Sequence, residues 1–171
     1  ADKIEKAVFC SIRMQDTGVV EETALVWPDD EHCFPVLWCN LTIVPGVMNV
    51  PICDFIPLMD PVVWPGYADT YIEPLSELKP KGIELFGDEL VDKAVDLPSK
   101  TVYSLSPYKM IVNLSDTGIE RVPEVIGEYI KTDIDLWEKA QPLASEDERS
   151  HYRRKKDSTR VLMKANHPIY P

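Results

Sequence analysis

The chain has 171 residues, 44% of them hydrophobic and 27% charged, a composition that suits one folded domain over 1–171 with its own core. Its formal net charge of -11 excludes a generic nucleic-acid binder, which needs a basic face to displace phosphate counterions. No apolar run reaches the roughly 18 residues that a bilayer demands, and the opening Ala1–Lys6 stretch has no apolar signal segment. A cytoplasmic protein is expected, or a plastid stromal one if a transit peptide has been removed.

The first half reads as β-structure. Ala7–Met14 is a mixed apolar run, closed by the turn signal Gln15-Asp16-Thr17-Gly18. Val19–Trp27 is a second strand, and Pro28–His32 a polar loop whose His32 is expected at the surface. Phe34–Val44 is a third strand, Pro45-Gly46 a tight turn and Val47–Phe55 a fourth strand. Turns this closely spaced imply antiparallel hairpins rather than parallel crossovers.

After a Pro-punctuated loop, helical spacing is read over Gly66–Leu78, from Tyr67, Tyr71, Leu75 and Leu78, and again over Ile83–Val95. Thr101–Leu105 and Tyr108–Leu114 read as two more strands, with a turn or bulge at Pro107. Val122–Lys139 carries the broad apolar stripe of a helix, and a last helix opens with the capping-box pattern of Ser145 and Glu148 and runs to about Ala165. Strands, helices, strands and helices in this order predict an α+β fold, an antiparallel sheet covered by helices.

The four cysteines, Cys10, Cys33, Cys39 and Cys53, form no CxxC pair, and no His lies at zinc-ligand spacing from them. Buried, reduced thiols in a reducing compartment are expected. Six cations, Arg153, Arg154, Lys155, Lys156, Arg160 and Lys164, crowd the last helix. They are either a solvated face or an anion site for substrate carboxylates or an acidic partner.

Two stretches resemble the superfamily of ferredoxin-dependent bilin reductases and red chlorophyll catabolite reductases. One is Ala24-Leu25-Val26-Trp27-Pro28, a six-residue loop, then Pro35-Val36-Leu37-Trp38-Cys39-Asn40-Leu41, followed by Ile52-Cys53-Asp54-Phe55 and the loop Pro61–Tyr67. The other is the helix from Glu148 to Leu162, with its Tyr152, basic run, Lys156-Asp157 and Arg160. Between them, Ser104-Leu105-Ser106-Pro107 is similar to the strand pair before the family's penultimate helix. The resemblance implies an α/β/α sandwich with a central antiparallel sheet, and a linear tetrapyrrole held between the sheet and the C-terminal helices. It also implies reduction with no metal or flavin bound, with single electrons from reduced ferredoxin and protons from side chains or water. Relative to the family the chain is short by about fifty residues before the first strand. If its ends are native, the pocket is open on one side and a homodimer partner would cover it.

The resemblance assigns roles residue by residue. Asp157 matches an acidic position on the family's helix and is the first candidate proton donor. The plainer alternative is a surface Asp paired with Lys156 or Arg160. Asn40 stands where some members have Asp, and its amide can hydrogen-bond a pyrrole or lactam but cannot supply a carboxylic proton. Glu21 and Thr23 lie two residues apart on one strand face. Glu21 matches an Asp of some members and can replace the missing acid, while Thr23 stands where others have a His. For substrate binding the candidates are Thr23, Trp38, Ser104, Ser106 and His151, with Arg153, Arg154 and Arg160 for the propionates. The departures at Asn40 and Thr23 keep a second reading open, a non-catalytic carrier or chaperone of a linear tetrapyrrole.

Overall fold

The computed structural model describes residues 3–93 and 104–166. Five strands form one antiparallel sheet: β1 (Ile4–Arg13), β2 (Val20–Pro28), β4 (Val36–Val44), β5 (Met48–Ile56) and the short β7 (Met110–Ile111), in the order β1-β2-β4-β5-β7. The hairpin turns fall where the sequence places them. Gly18 and Gly46 take φ values of 69° and 70°, open to glycine without strain. Four more short strands pair off outside this sheet: β3 (His32–Cys33) with β9 (Gln141–Pro142), and β6 (Leu90–Asp92) with β8 (Asn113–Leu114).

Side chains alternate across a sheet, so pairing register sorts them into two faces. One face carries Glu21, Thr23, Leu25 and Trp27 of β2 beside Val36, Trp38, Asn40 and Thr42 of β4, and Val50, Ile52, Asp54 and Ile56 of β5. The other carries Ala24, Cys39, Leu41, Cys53 and Phe55.

Three helices cover the sheet: α1 (Leu78–Phe86), α2 (Val122–Lys139) and α3 (Glu146–Asn166). α2 lies on the second face, where Tyr129 stacks on Phe55 with ring centroids 5.9 Å apart. Its buried row is Val122, Val125, Tyr129, Asp133 and Leu136, a helical period with one carboxylate in it. α1 packs against α2 and β7 at Gly82, where a Cβ would stand 2.7 Å from Met110 Sδ and 3.4 Å from Val125 Cγ1.

α3 crosses the end of the first face. It buries Tyr152, Lys156, Thr159 and Met163, spaced as one side of a helix. Tyr152 Oη donates to Phe34 O at 3.2 Å, and Arg160 lies over the Trp27 ring at 5.3 Å. Lys156, only 1% exposed, bridges Glu5 of β1 at 2.5 Å and Asp30 at 2.6 Å. Helices on both faces of an antiparallel sheet make the α/β/α sandwich that the motifs imply.

The capping box at the start of α3 is formed in both directions. Ser145 Oγ accepts from Glu148 N–H at 3.1 Å, and Glu148 Oε2 accepts from Ser145 N–H at 3.2 Å. Ser145→Ala is expected to cost about 1 kcal/mol, read as a lower urea midpoint with an unchanged m-value. An unchanged midpoint would show that tertiary packing alone fixes this end.

Several expected elements differ. The helix read over Gly66–Leu78 is a helical turn at Pro65–Tyr67, a π-turn at Ala68–Ile72 and a 3-10 turn at Glu73–Glu77. Pro74 has no N–H for a regular helix and breaks the hydrogen-bond ladder there. The helix read over Ile83–Val95 stops at Phe86. Gly87 turns it off with φ 55°, and Leu90–Asp92 is the strand β6. Ala94 and Val95 lie outside the described residues, as do Thr101–Tyr103 of the next expected strand. Ser104 and Leu105 of that strand sit in a turn. Tyr108–Leu114 divides into β7 and β8, which belong to different sheets. His32 is part of β3 and half-buried, with Nδ1 2.8 Å from Asp29 Oδ2. Cys39 and Cys53 are buried as expected, whereas Cys10 and Cys33 are only partly covered.

Candidate functional site

The first sheet face gathers polar groups that an ordinary core face excludes. Asn40, 1% exposed, donates from Nδ2 to Glu21 Oε1 at 3.1 Å and to Thr23 Oγ1 at 2.9 Å. Its Oδ1 accepts from Thr42 Oγ1 at 3.0 Å. Register explains the cluster: Thr23 is opposite Asn40, and Glu21 is opposite Thr42. With both amide hydrogens and the carbonyl engaged, Asn40 acts as a fixed bracket that orients the Glu21 carboxylate.

One step along β4, on the same face, Trp38 stands opposite Asp54 of β5. Both are buried. Asp54 accepts from Ser106 twice, at Oδ2 from the backbone N–H at 2.9 Å and at Oδ1 from Oγ at 2.5 Å. Burial raises its pKa from the ordinary 3.8 to about 6, against the lowering by the Ser106 hydrogen bonds. A carboxyl that holds its proton near pH 6 is a competent general acid.

Glu21, Thr23, Trp38 and Asn40 are therefore brought to one face, and Ser106 joins them through Asp54. Ser104 is buried beside Ser106 in the same turn. Asp54 is not among the candidates that the sequence singles out, although a lone Asp in the apolar stretch Ile52-Cys53-Asp54-Phe55 is itself a signal.

α3 contributes differently from the expectation. Asp157 does not join the sheet face. It is 72% exposed in its side chain and pairs with Arg160 at 3.5 Å, because the helix turns Tyr152, Lys156 and Thr159 inward and position 157 outward. Arg153 reaches Glu31 at 3.3 Å and Asp30 at 3.9 Å, and Arg160 reaches Glu5 at 2.6 Å. These charges are engaged with the protein's own acids. Arg154 faces solvent, and the His151 ring packs on Trp64 at 4.3 Å between centroids.

Among the described residues, no group of His, Cys, Asp and Glu is placed to hold a metal ion, and no helix is long and apolar enough to cross a membrane.

No protein-family model matches the chain, and no curated protein does. Among solved structures, tomato phytochromobilin synthase in complex with biliverdin matches with a TM-score of 0.72 at 18% sequence identity, covering 90% of this chain and 53% of that one. The chain thus spans about half the length of that protein. The likeness shows that the chain shares the fold of that structure.

Proposed function

We propose that this chain binds a linear tetrapyrrole, a bilin such as biliverdin or an open-chain chlorophyll catabolite, against the sheet face bearing Glu21, Thr23, Trp38, Asn40 and Asp54. There it reduces the pigment with electrons from ferredoxin, without metal or flavin. The observation that carries this reading is the convergence on one sheet face of an indole, an amide-held carboxylate and a buried carboxyl whose pKa is about 6. The likeness in fold to a protein solved with biliverdin supports the pigment class.

Saturating one carbon–carbon double bond consumes two electrons, one from each of two reduced ferredoxins, and two protons. Asp54 supplies a proton from its neutral form, and Glu21 is the second carboxyl. Trp38 gives a flat apolar surface for a pyrrole ring. Arg154 and Lys164, the exposed cations of α3, steer an acidic donor toward a chain of net charge -11. A carrier is the second reading, favoured by Asn40, whose saturated amide delivers no proton.

An absorption titration with biliverdin and with red chlorophyll catabolite, before and after reduced ferredoxin, tests the proposal. The expected result is a saturable shift followed by bleaching of the long-wavelength band. A shift without bleaching selects the carrier, and no shift with either pigment removes the pigment reading. Asp54→Asn is expected to keep binding and lose about 10²-fold or more in reduction rate. The parent rate should fall as pH rises through about 6, where the Asp54 proton leaves. Parent-like turnover in Asp54→Asn would remove its role as acid.

A further inference from the structure

Behind the candidate site, on the opposite sheet face, lies a thiol pair that the proposed chemistry does not use. Cys39 of β4 and Cys53 of β5 are direct cross-strand partners. Both are buried and both are free thiols. Directly opposed residues of an antiparallel pair have Cα atoms about 4.5–5.5 Å apart, within the range of about 4.4–6.8 Å that a disulfide spans. The Cys39 thiol is near enough to help raise the pKa of the Cys53 thiol. Cys10 cannot take either place: β2 separates its strand from β4, about 10 Å away.

Cys39 also lines a groove of about 620 Å³ between the sheet and α2, with Phe9, Ala24, Leu41, Ile126 and Ile130. Phe9 is 72% exposed at its mouth. An apolar opening of this kind admits a small uncharged oxidant in preference to a charged peptide disulfide. The Cys39 thiol and then burial hold the Cys53 thiol well above its ordinary pKa, so the reaction is slow at neutral pH and speeds up as pH rises.

We propose that Cys39 and Cys53 form a reversible disulfide on exposure to peroxide, and that this modification reshapes the face holding Asn40 and Asp54. The Cys39 sulfur attacks hydrogen peroxide, the O–O bond breaks, and Cys39 becomes a sulfenic acid as the first water leaves. The Cys53 sulfur then attacks the Cys39 sulfur, the S–O bond breaks and a second water leaves. In sum, two thiols lose two electrons and two protons, and one peroxide becomes two waters. A dithiol reductant reverses the reaction.

The effect on the site follows from the pleat. Cys39 lies between Trp38 and Asn40 in sequence, and Cys53 directly precedes Asp54. Drawing the two Cβ atoms together on one face rotates these neighbours on the other. This second part rests on the reading of that face as the pigment site, whereas the disulfide does not.

The test treats the intact protein with hydrogen peroxide, blocks free thiols under denaturing conditions, and maps cysteines after chymotryptic cleavage, which cuts after Trp38 and Leu41. The expected product is a Cys39–Cys53 linked peptide pair, lighter by two hydrogens than the separate thiol peptides and lost after dithiothreitol. In Cys53→Ser the link is absent and dimedone traps Cys39 as its sulfenic acid. If that variant does not fold, the mapping of the parent carries the test. Recovery of Cys39 and Cys53 as blocked thiols while Cys10 and Cys33 are oxidised would overturn the proposal. Biliverdin titration of the oxidised protein should show binding weakened about fivefold or more, restored by the reductant. Equal binding by both forms overturns the effect on the site. A mapped disulfide with no biliverdin binding in either form upholds the modification and removes the pigment reading.

Discussion

Lys156→Ala is expected to lower the melting temperature by about 6–20 °C, the shift that a loss of about 3–5 kcal/mol produces in a domain of this size. Lys156 is 1% exposed and lies between Glu5 and Asp30. Its hydrogen bond is the main reason that the Asp30 carboxyl sits below its ordinary pKa. Removing the cation leaves the half-exposed Glu5 and Asp30 carboxylates to Arg160 and Arg153, and it empties the buried space that the Lys156 side chain fills. The contrast with a triple variant makes this specific. Lys156→Met combined with Glu5→Gln and Asp30→Asn removes the charges together and should recover most of the loss, because desolvating the cluster costs about as much as its attraction returns. Thermal unfolding followed by circular dichroism reads both. A drop of less than about 2 °C in Lys156→Ala would show that Tyr152 and Met163 alone hold α3 on the sheet.

Asp133→Asn is expected to change how stability depends on pH. Asp133 is 6% exposed within the buried row of α2, and its Oδ1 has no hydrogen-bond partner among the described residues. Burial raises its pKa from 3.8 to about 7. The native state therefore keeps a proton that the unfolded chain gives up near pH 4. The stability that this protonation represents is complete below pH 4 and is lost as pH rises to about 7, after which the contribution is flat. The asparagine does not ionise. Its advantage over the parent should widen by about 4 kcal/mol between pH 4 and pH 8. Asp54 contributes a slope of the same sign up to about pH 6, but it is present in both proteins and cancels in the difference. Urea unfolding at pH 4.5, 6 and 8 measures this, and parallel curves for parent and variant would show that Asp133 has found a partner or water that keeps it charged.

The elements legible in the sequence are those whose signal is local. Gly18 and Gly46 mark their hairpins because only glycine takes those φ values freely, and the Ser145–Glu148 capping box states where α3 begins. The stripe from Val122 to Leu136 announces α2 despite Asp133, since four apolar positions outweigh one polar one. The misread elements turn on single residues that override a periodic pattern. Pro74 splits an amphipathic stretch into tighter and looser turns, and Gly87 ends a helix that Leu90 and Val91 seemed to continue.

For the site, two residues apart on a strand is a fixed geometric statement, so Glu21 and Thr23 were paired correctly from spacing. Their meeting with Asn40 is set by the β2–β4 register, which spacing along the chain does not contain. Asp157 owes its candidacy to its place in a motif, not to its direction. The inward period of Tyr152, Lys156, Thr159 and Met163 puts 157 on the outer side, an inference that helix geometry alone would have allowed. Asp54 and its partner Ser106 are 52 positions apart, and their pairing is a property of the fold.

The two-residue alternation of β2, β4 and β5 also divides the labour of inheritance. In the middle of β4, Trp38, Asn40 and Thr42 belong to the face proposed for the pigment, while Leu37, Cys39 and Leu41 belong to the opposite face, against α2. Neighbouring codons are therefore under different constraints. Descendants of this chain are free to retune one set while the other keeps the sheet intact.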